Sequence, residues 1–135
     1  MSIMVWSAKL SVGVERFDNE HKKLVGMLNG LHDEMLKGKA NTVLGPLLSE
    51  LVKYTQTHFA NEESLFKNHH YPNALSHKLE HDQLRKKAME LEVGLKEGRI
   101  NLSTETMKFL KDWLTNHILG TDMQYKEFLR SKGVK

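Results

Sequence analysis

The sequence predicts an all-α protein whose core is an up-down-up-down four-helix bundle. Apolar residues recur at spacings of three and four along four segments, as the buried faces of amphipathic helices require. Short turns separate the segments, so successive helices are expected to run antiparallel. Each segment also carries histidine or carboxylate side chains beside its apolar positions, which indicates a shared polar site inside the bundle.

The beginning of the chain does not follow the helical pattern. Residues 1–17 are predicted to form an extended or looped arm, and Asp18 is the expected N-cap of the first helix. The apolar anchors of this arm are Trp6, Leu10, Val12, Val14 and Phe17. We expect the bundle to occupy about residues 18–119 and a short final helix about residues 121–131, within a single domain of residues 1–135.

Polar side chains lie on helix faces that are otherwise apolar. The inner row predicted for the second helix is Leu47, Leu51, Tyr54, His58, Glu62 and Leu65. A buried carboxylate or imidazole without a partner costs on the order of several kcal/mol. A metal cation would compensate several such groups at once. The donors are oxygen and imidazole nitrogen without cysteine, which suits iron, manganese or zinc.

The spacing of these side chains fits ligands on helices. His77 and His81 are four residues apart and therefore lie on one side of a helix, one turn from each other. His58 and Glu62 have the same spacing. His21 lies in the first turn of the first helix, close to the apolar stripe of that helix, and is therefore expected to face inward.

The last pair, His117 and Asp122, is five residues apart. On a straight α-helix, residues at this spacing differ in direction by roughly 140°. Both side chains can reach one site only if the helix is distorted between them. Gly120 lies in this interval, so we expect a break or bulge near Gly120 that returns Asp122 to the core.

The whole pattern resembles the hemerythrin family: a single His, His-x3-Glu, His-x3-His and His-x4-Asp occur in this order on four helices. The opening Asp18-Asn19-Glu20-His21 and the early Trp6 resemble the bacterial single-domain members. The resemblance implies two non-heme iron ions with a bridging oxo or hydroxo group and O2 as their ligand. The metal ligands that it implies are His21, His58, Glu62, His77, His81, His117 and Asp122.

The resemblance also assigns these ligands to individual ions. His77, His81 and His117 would hold one iron, and His21 and His58 would hold the other, which keeps an open position. Glu62 and Asp122 would bridge the pair. The walls expected for the O2 pocket are Leu24, Phe59, Leu84, Trp113, Leu114 and Ile118.

Two functions are compatible with this site. The first is reversible O2 binding for transport, storage, local supply or sensing. The alternative is a di-iron enzyme, such as a peroxidase, an oxidase or a nitric oxide handler. We favour binding, with no catalytic residue assigned, because none of the expected pocket walls is titratable. The expected partners are O2 and either an oxygen-consuming client enzyme or an electron donor.

Three other interpretations of the histidines explain less. His77-Lys78-Leu79-Glu80-His81 fits an inverted zinc-protease motif with Glu80 as the base, but the remaining histidines are then unexplained. We expect Glu80 instead to be solvated or to support a ligand. Ferritin-like sites use Glu and Glu-x-x-His sets instead. A purely structural bundle accounts for any single histidine but not for seven aligned donors. His32, His69 and His70 fit no ligand set.

Composition restricts the expected partners and location. The net charge is +3, and Lys and Arg are interspersed with Asp and Glu, so we expect no nucleic-acid partner. No apolar run approaches the length of a membrane-spanning helix, so no membrane insertion is expected. The N-terminus lacks the pattern of a secretory signal, which makes the cytoplasm the expected location.

Overall fold

The computed structural model describes residues 3–135, which form a bundle of four long helices with no strand in this range. Short turns connect the long helices. A short α5 follows α4 after a distorted turn. The α-helices are α1 (Glu15–Leu36), α2 (Asn41–His69), α3 (Ala74–Lys96), α4 (Thr104–Asn116) and α5 (Lys126–Ser131). The predicted fold class is thereby confirmed.

The turns of the bundle use residues that accept a left-handed backbone. Gly38 and Gly98 follow α1 and α3 with φ of 73° and 74°, and His70 ends α2 with φ of 55°. Glycine adopts this conformation without the clash that a Cβ causes. Ser103 begins α4 as its N-cap and accepts a hydrogen bond from the Thr106 amide at 3.2 Å. These residues fix where the polypeptide reverses direction.

The N-terminal arm is shorter than predicted because α1 begins at Glu15, not after Asp18. Asp18 is not the N-cap. Its carboxylate accepts hydrogen bonds from the Val12 amide at 2.8 Å and the Ser11 hydroxyl at 2.6 Å. An acidic side chain within the first turn can thus accept hydrogen bonds from the residues that precede the helix. Asp18 therefore fastens the arm, which includes a 3-10 turn at Ala8–Leu10, to the bundle.

The buried face of α2 is rotated by about one residue from the predicted row over part of its length. Leu48 and Phe66 are buried, whereas their predicted neighbours Leu47 and Leu65 are only half-buried. α2 packs against both α1 and α3, so its apolar face is broader than a single row. The rotation leaves His58 and Glu62 in the core, where they are 1% and 0% exposed.

The distortion near Gly120 is confirmed, but it is a change of helix type. A π-helical turn spans His117–Thr121, a 3-10 turn spans Asp122–Tyr125, and α5 begins only at Lys126. The predicted final helix of residues 121–131 is therefore α-helical only in its second half. Among residues 3–135, no helix is both long and apolar enough to cross a membrane.

Candidate metal centre

Seven side chains from α1, α2, α3 and the π-helical and 3-10 turns after α4 converge at one end of the bundle interior. All seven are buried. Their nitrogen and oxygen atoms form two groups, within each of which every candidate ligand atom lies within 4.8 Å of the others. The larger group is Glu62, His77, His81, His117 and Asp122, and the smaller group is His21, His58, Glu62 and Asp122. Glu62 and Asp122 belong to both groups, so the site has room for two cations that share these two carboxylates.

Asp122 directs its two oxygens to different histidines. Oδ2 lies 3.1 Å from His21 Nε2. Oδ1 lies 3.0 Å from His77 Nε2 and 3.1 Å from His117 Nε2. Two donors about 2.1 Å from a cation and at right angles to each other are themselves about 3 Å apart, so these separations suit ligands of a common metal ion. Each oxygen of Asp122 therefore faces a different group of the cluster.

Glu62 presents only one oxygen to the cluster. Oε1 lies 3.2 Å from His81 Nε2 and 3.5 Å from His58 Nε2, which belong to different groups. Oε2 instead accepts a hydrogen bond of 2.7 Å from the hydroxyl of Tyr125, which is 0% exposed. The two shared carboxylates are thus held differently, and Tyr125 decides which oxygen of Glu62 is free.

The polar atoms that face the centre lack hydrogen-bond partners. They include five histidine nitrogens, Nε2 of His21, His58, His77, His81 and His117. The unpaired oxygens are Glu62 Oε1 and both oxygens of Asp122. Buried polar atoms are rarely left unpaired in proteins, and imidazole nitrogens with carboxylate oxygens form a good donor set for iron, manganese or zinc. The residues present therefore fit a pair of metal ions.

The π-helical turn brings His117 and Asp122 to the same side. The Asp122 amide donates a hydrogen bond to the His117 carbonyl, which is the five-residue pairing that defines this helix type. Five residues then close about one turn, whereas they overshoot by roughly 140° on an α-helix. Gly120 is not needed for steric reasons: its φ is not positive, and a Cβ built there meets no atom within 4 Å. The predicted distortion is correct, and neither the φ angle nor the space at position 120 requires a glycine.

Three glutamates hold the outer side of three of the rings. His58 Nδ1 lies 2.5 Å from Glu20 Oε1, His81 Nδ1 lies 2.8 Å from Glu63 Oε2, and His117 Nδ1 lies 2.8 Å from Glu80 Oε1. An ionised carboxylate can only accept, so each Nδ1 donates. In a neutral ring the lone pair is then on Nε2, the atom that faces the cluster.

Each glutamate is itself held by a further side chain. Asn61 Nδ2 donates to Glu20 at 2.9 Å, Arg85 Nη2 donates to Glu63 at 2.6 Å, and the Thr121 hydroxyl lies 2.6 Å from both oxygens of Glu80. These contacts restrict the glutamates to one position. They also link the cluster to groups nearer the surface, since the side chain of Glu80 is 37% exposed.

Opposite charges shift the pKa values of the clustered groups. Burial opposes ionisation of Glu62, as does the charge of Asp122, but the surrounding histidines hold its pKa below the usual range. The pKa of Asp122 is also well below its usual range: burial opposes this, but His117 and other histidines outweigh it. Burial would lower the pKa of His77 and His117, yet the carboxylates raise these pKa values to about 9 and about 10. A metal ion must therefore displace protons from these two rings.

The predicted pocket walls are not equally buried. Leu24, Phe59, Leu114 and Ile118 are at most 2% exposed. Leu84 and Trp113 are only half-buried. Phe59 is the wall with the most direct ring contacts to the cluster. Its ring stacks on His81 at a centroid distance of 3.8 Å and lies 5.4 Å from the ring of His117.

Some features of the site were not predicted from the sequence. Tyr125, three residues after Asp122, was expected only as part of the final helix. Glu20 directly precedes the candidate ligand His21, and Glu63 directly follows the candidate ligand Glu62. This adjacency is the only sequence signal for the role of the two glutamates. Glu80 was expected to be solvated or to support a ligand, and it does contact His117. Within residues 3–135, neither metal-binding group includes His32, His69 or His70.

The chain is similar to known proteins over most of its length. The family model described as the hemerythrin HHE cation binding domain matches residues 12–129. A bacteriohemerythrin of Pseudomonas aeruginosa (strain LESB58) is 35% identical over 130 residues, covering 96% of this chain and 84% of the relative. A bacteriohemerythrin of Methylococcus capsulatus (strain ATCC 33009 / NCIMB 11132 / Bath) is 32% identical over 126 residues, covering 93% and 95%.

Solved structures extend the similarity to the fold. A wild-type hemerythrin crystal structure superimposes with a TM-score of 0.89 at 31% identity, covering 93% of this chain and 97% of the other. The family model and these relatives each span nearly the whole length of the chain. The chain therefore belongs to the hemerythrin family.

Proposed function

We infer that this protein binds dioxygen reversibly at a pair of iron ions held by the seven clustered side chains. The observation that carries this proposal is that the two groups of ligand atoms share Glu62 and Asp122. His77, His81 and His117 would hold one ion, and His21 and His58 the other. This division leaves fewer protein donors for the second ion and hence an open position. The shared carboxylates, with a solvent-derived oxo or hydroxo group, would bridge the ions.

The bound iron pair would supply two electrons to dioxygen on binding and recover them on release. The protein's own contribution is to orient the ligands and exclude water. Glu20, Glu63 and Glu80 fix three rings from outside, so the nitrogen atoms are in position before the metal binds. The buried side chains Leu24, Phe59, Leu114 and Ile118 would line the site with carbon and limit the access of water and anions.

Binding without turnover is favoured over an enzymatic role by the state of Tyr125. This hydroxyl contacts the cluster at Glu62 Oε2. Burial, together with the charges of Glu62 and Asp122, raises the pKa of Tyr125 well above its usual range. The Tyr125 hydroxyl is therefore committed to Glu62, and is a poor source of protons for a turnover cycle.

The experiment that separates the two functions is an oxygen-consumption assay on the iron-loaded, reduced protein with excess reductant. Binding predicts uptake of one O2 for each pair of irons, after which consumption stops. An oxidase or peroxidase would continue to consume O2 or peroxide until the reductant is exhausted. Continued consumption at a rate proportional to protein concentration would reject the carrier function and favour the enzyme.

A further inference from the structure

A small cavity, partly open to the surface, lies between α2, α3 and α4, outside the metal cluster. It has room of about 20 Å³ for the centre of a water-sized molecule, and its surface is almost entirely carbon. Its lining residues are Leu48, Leu51, Val52, Thr55, Lys87, Ala88, Leu91, Phe109, Leu110 and Trp113. None of them belongs to either group of candidate metal ligands.

The chemistry of the lining does not favour water. A buried water needs two to four polar partners. Thr55 supplies a hydroxyl, but this group already donates a hydrogen bond of 2.8 Å to the Leu51 carbonyl. Lys87 covers the outer side with its amine 5.6 Å from the ring centroid of Phe109. Long lysine side chains commonly bury their carbon stem while the charged end remains at the surface. The cavity is therefore suited to a small apolar molecule.

The size of the space limits what it can hold. About 10–15 Å³ of space for the molecule's centre is enough to hold one water, and larger apolar cavities bind xenon or benzene. At about 20 Å³ the cavity has room for a diatomic gas or a xenon atom, but a benzene ring would require the walls to move. Dioxygen is a suitable occupant because it is small, uncharged and more soluble in apolar surroundings than in water.

The cavity lies next to the metal cluster along two helices. Thr55 is three residues before His58, and Trp113 is four residues before His117, so each lies one helical turn from a ligand. Phe59 lies one turn beyond Thr55 and stacks on His81. The cavity and the cluster thus occupy neighbouring turns of α2 and of the segment that begins with α4.

We propose that this cavity is a second gas site, which binds dioxygen in its free, unreacted form and delivers it to the cluster. The delivery role rests on the proposed function, whereas the binding of an apolar gas does not. Exchange through such a site affects how fast dioxygen arrives and leaves. It does not change the equilibrium at the iron pair, because a site on the path alters the barrier and not the end states.

The test begins with crystals of the iron-loaded protein pressurised with xenon, which needs no iron chemistry to bind. We expect xenon density between Ala88, Leu110 and Trp113. Ala88→Leu places three more carbon atoms in the cavity and should abolish this density. Ala60→Leu, an exposed alanine on α2, is the matched control and should retain it. The absence of xenon from the cavity of the unsubstituted protein would overturn the proposal.

The second measurement is the rate of dioxygen association and dissociation in the same variants by stopped flow. Ala88→Leu should slow both rates several-fold and leave their ratio unchanged, while Ala60→Leu should change neither. Unchanged rates in Ala88→Leu would reject delivery through this cavity. Leu91→Phe fills the space from the next turn of α3 and replaces Ala88→Leu if that variant does not fold. If the iron pair proves not to bind dioxygen reversibly, the xenon result still decides whether the gas site exists.

Discussion

His117 and Asp122 are connected through both their backbone and their side chains. The Asp122 amide donates to the His117 carbonyl across the π-helical turn, and Asp122 Oδ1 lies 3.1 Å from His117 Nε2. The widened turn is therefore what allows one segment to offer a histidine and a shared carboxylate to the same cluster. Glu80 on α3 contacts both ends of this turn, at His117 and at Thr121.

Glu80→Gln should weaken iron retention because the neutral amide replaces the carboxylate that orients His117. Losses of this kind of support typically cost about 10- to 100-fold in metal affinity. The measurement is the rate of iron release to a chelator.

Thr121→Val should act in the same direction with a smaller effect, because it removes only the hydroxyl that holds Glu80. Glu90→Gln, at an exposed position of α3, is the control. Equal release rates in Glu80→Gln and Glu90→Gln would show that Glu80 does not support the metal site.

Tyr125→Phe should destabilise the chelator-treated protein more than the iron-loaded protein. Without metal, Glu62 Oε2 loses its hydroxyl donor, and a hydrogen bond to a charged group contributes about 1.5–3 kcal/mol. With iron present, the released oxygen can bind a metal ion instead. The free energy of unfolding in urea, measured for both forms, provides the comparison. Tyr54→Phe controls for the loss of a tyrosine hydroxyl outside the cluster. An equal cost with and without iron would mean that Oε2 does not bind metal.

Leu114→Ala should keep both irons but accelerate autoxidation of the dioxygen-loaded protein and the exchange of small anions. Leu114 lies one turn before His117, and its truncation to alanine removes part of the apolar lining that keeps water from the site. Truncating a buried leucine also destabilises a core by about 2–5 kcal/mol. Leu28→Ala is the control because Leu28 and Leu114 are both 2% exposed. Decay rates are compared at matched unfolded fractions. Equal acceleration by the two substitutions would make Leu114 an ordinary core residue.

Removal of the metal should make stability depend on pH in both directions. The pKa values of His77 and His117 rise from 6.5 to about 9 and about 10, so their stabilising effect is full below pH 6.5 and is lost as pH rises through the higher values. Glu62 and Asp122 have lowered pKa values, so their effect is present above about pH 4.5 and is lost in acid. Urea midpoints of the chelator-treated protein should therefore be highest at about pH 5 to 6.5.

Iron-loaded protein provides the comparison for this pH dependence. Bound metal keeps the imidazoles deprotonated, so the decline on the alkaline side should disappear when iron is present. A flat urea midpoint between about pH 6 and 10 in the chelator-treated protein would contradict the charge pairing described for His77 and His117.

The fold and the candidate ligands could be predicted because both depend on spacing. Four-residue intervals determine which side chains share a helix face, and this places His58 with Glu62 and His77 with His81. The five-residue interval from His117 to Asp122 predicted a distortion for the same reason. Its form was not predictable, since either a bulge or a break could turn Asp122 toward the core, and the φ angle of Gly120 is not positive.

Contacts between helices were the least predictable part of the site. Tyr125 and Glu62 are 63 residues apart, and nothing in their local sequences indicates that a hydroxyl meets a carboxylate. The partners Glu20, Glu63 and Glu80 likewise depend on the rotation of each helix about its axis. An error of one residue, such as the predicted row through Leu47 and Tyr54, is enough to misplace such contacts.

The most direct test of the account is an optical titration of the reduced, iron-loaded protein with dioxygen, followed by evacuation. We expect two irons per chain and a coloured form that appears with dioxygen, disappears under vacuum and returns over repeated cycles. Substitution of Asp122 by Asn should abolish this cycle while leaving the helical content of the bundle unchanged. Immediate conversion of the unsubstituted protein to a ferric form that vacuum does not reverse would contradict reversible binding.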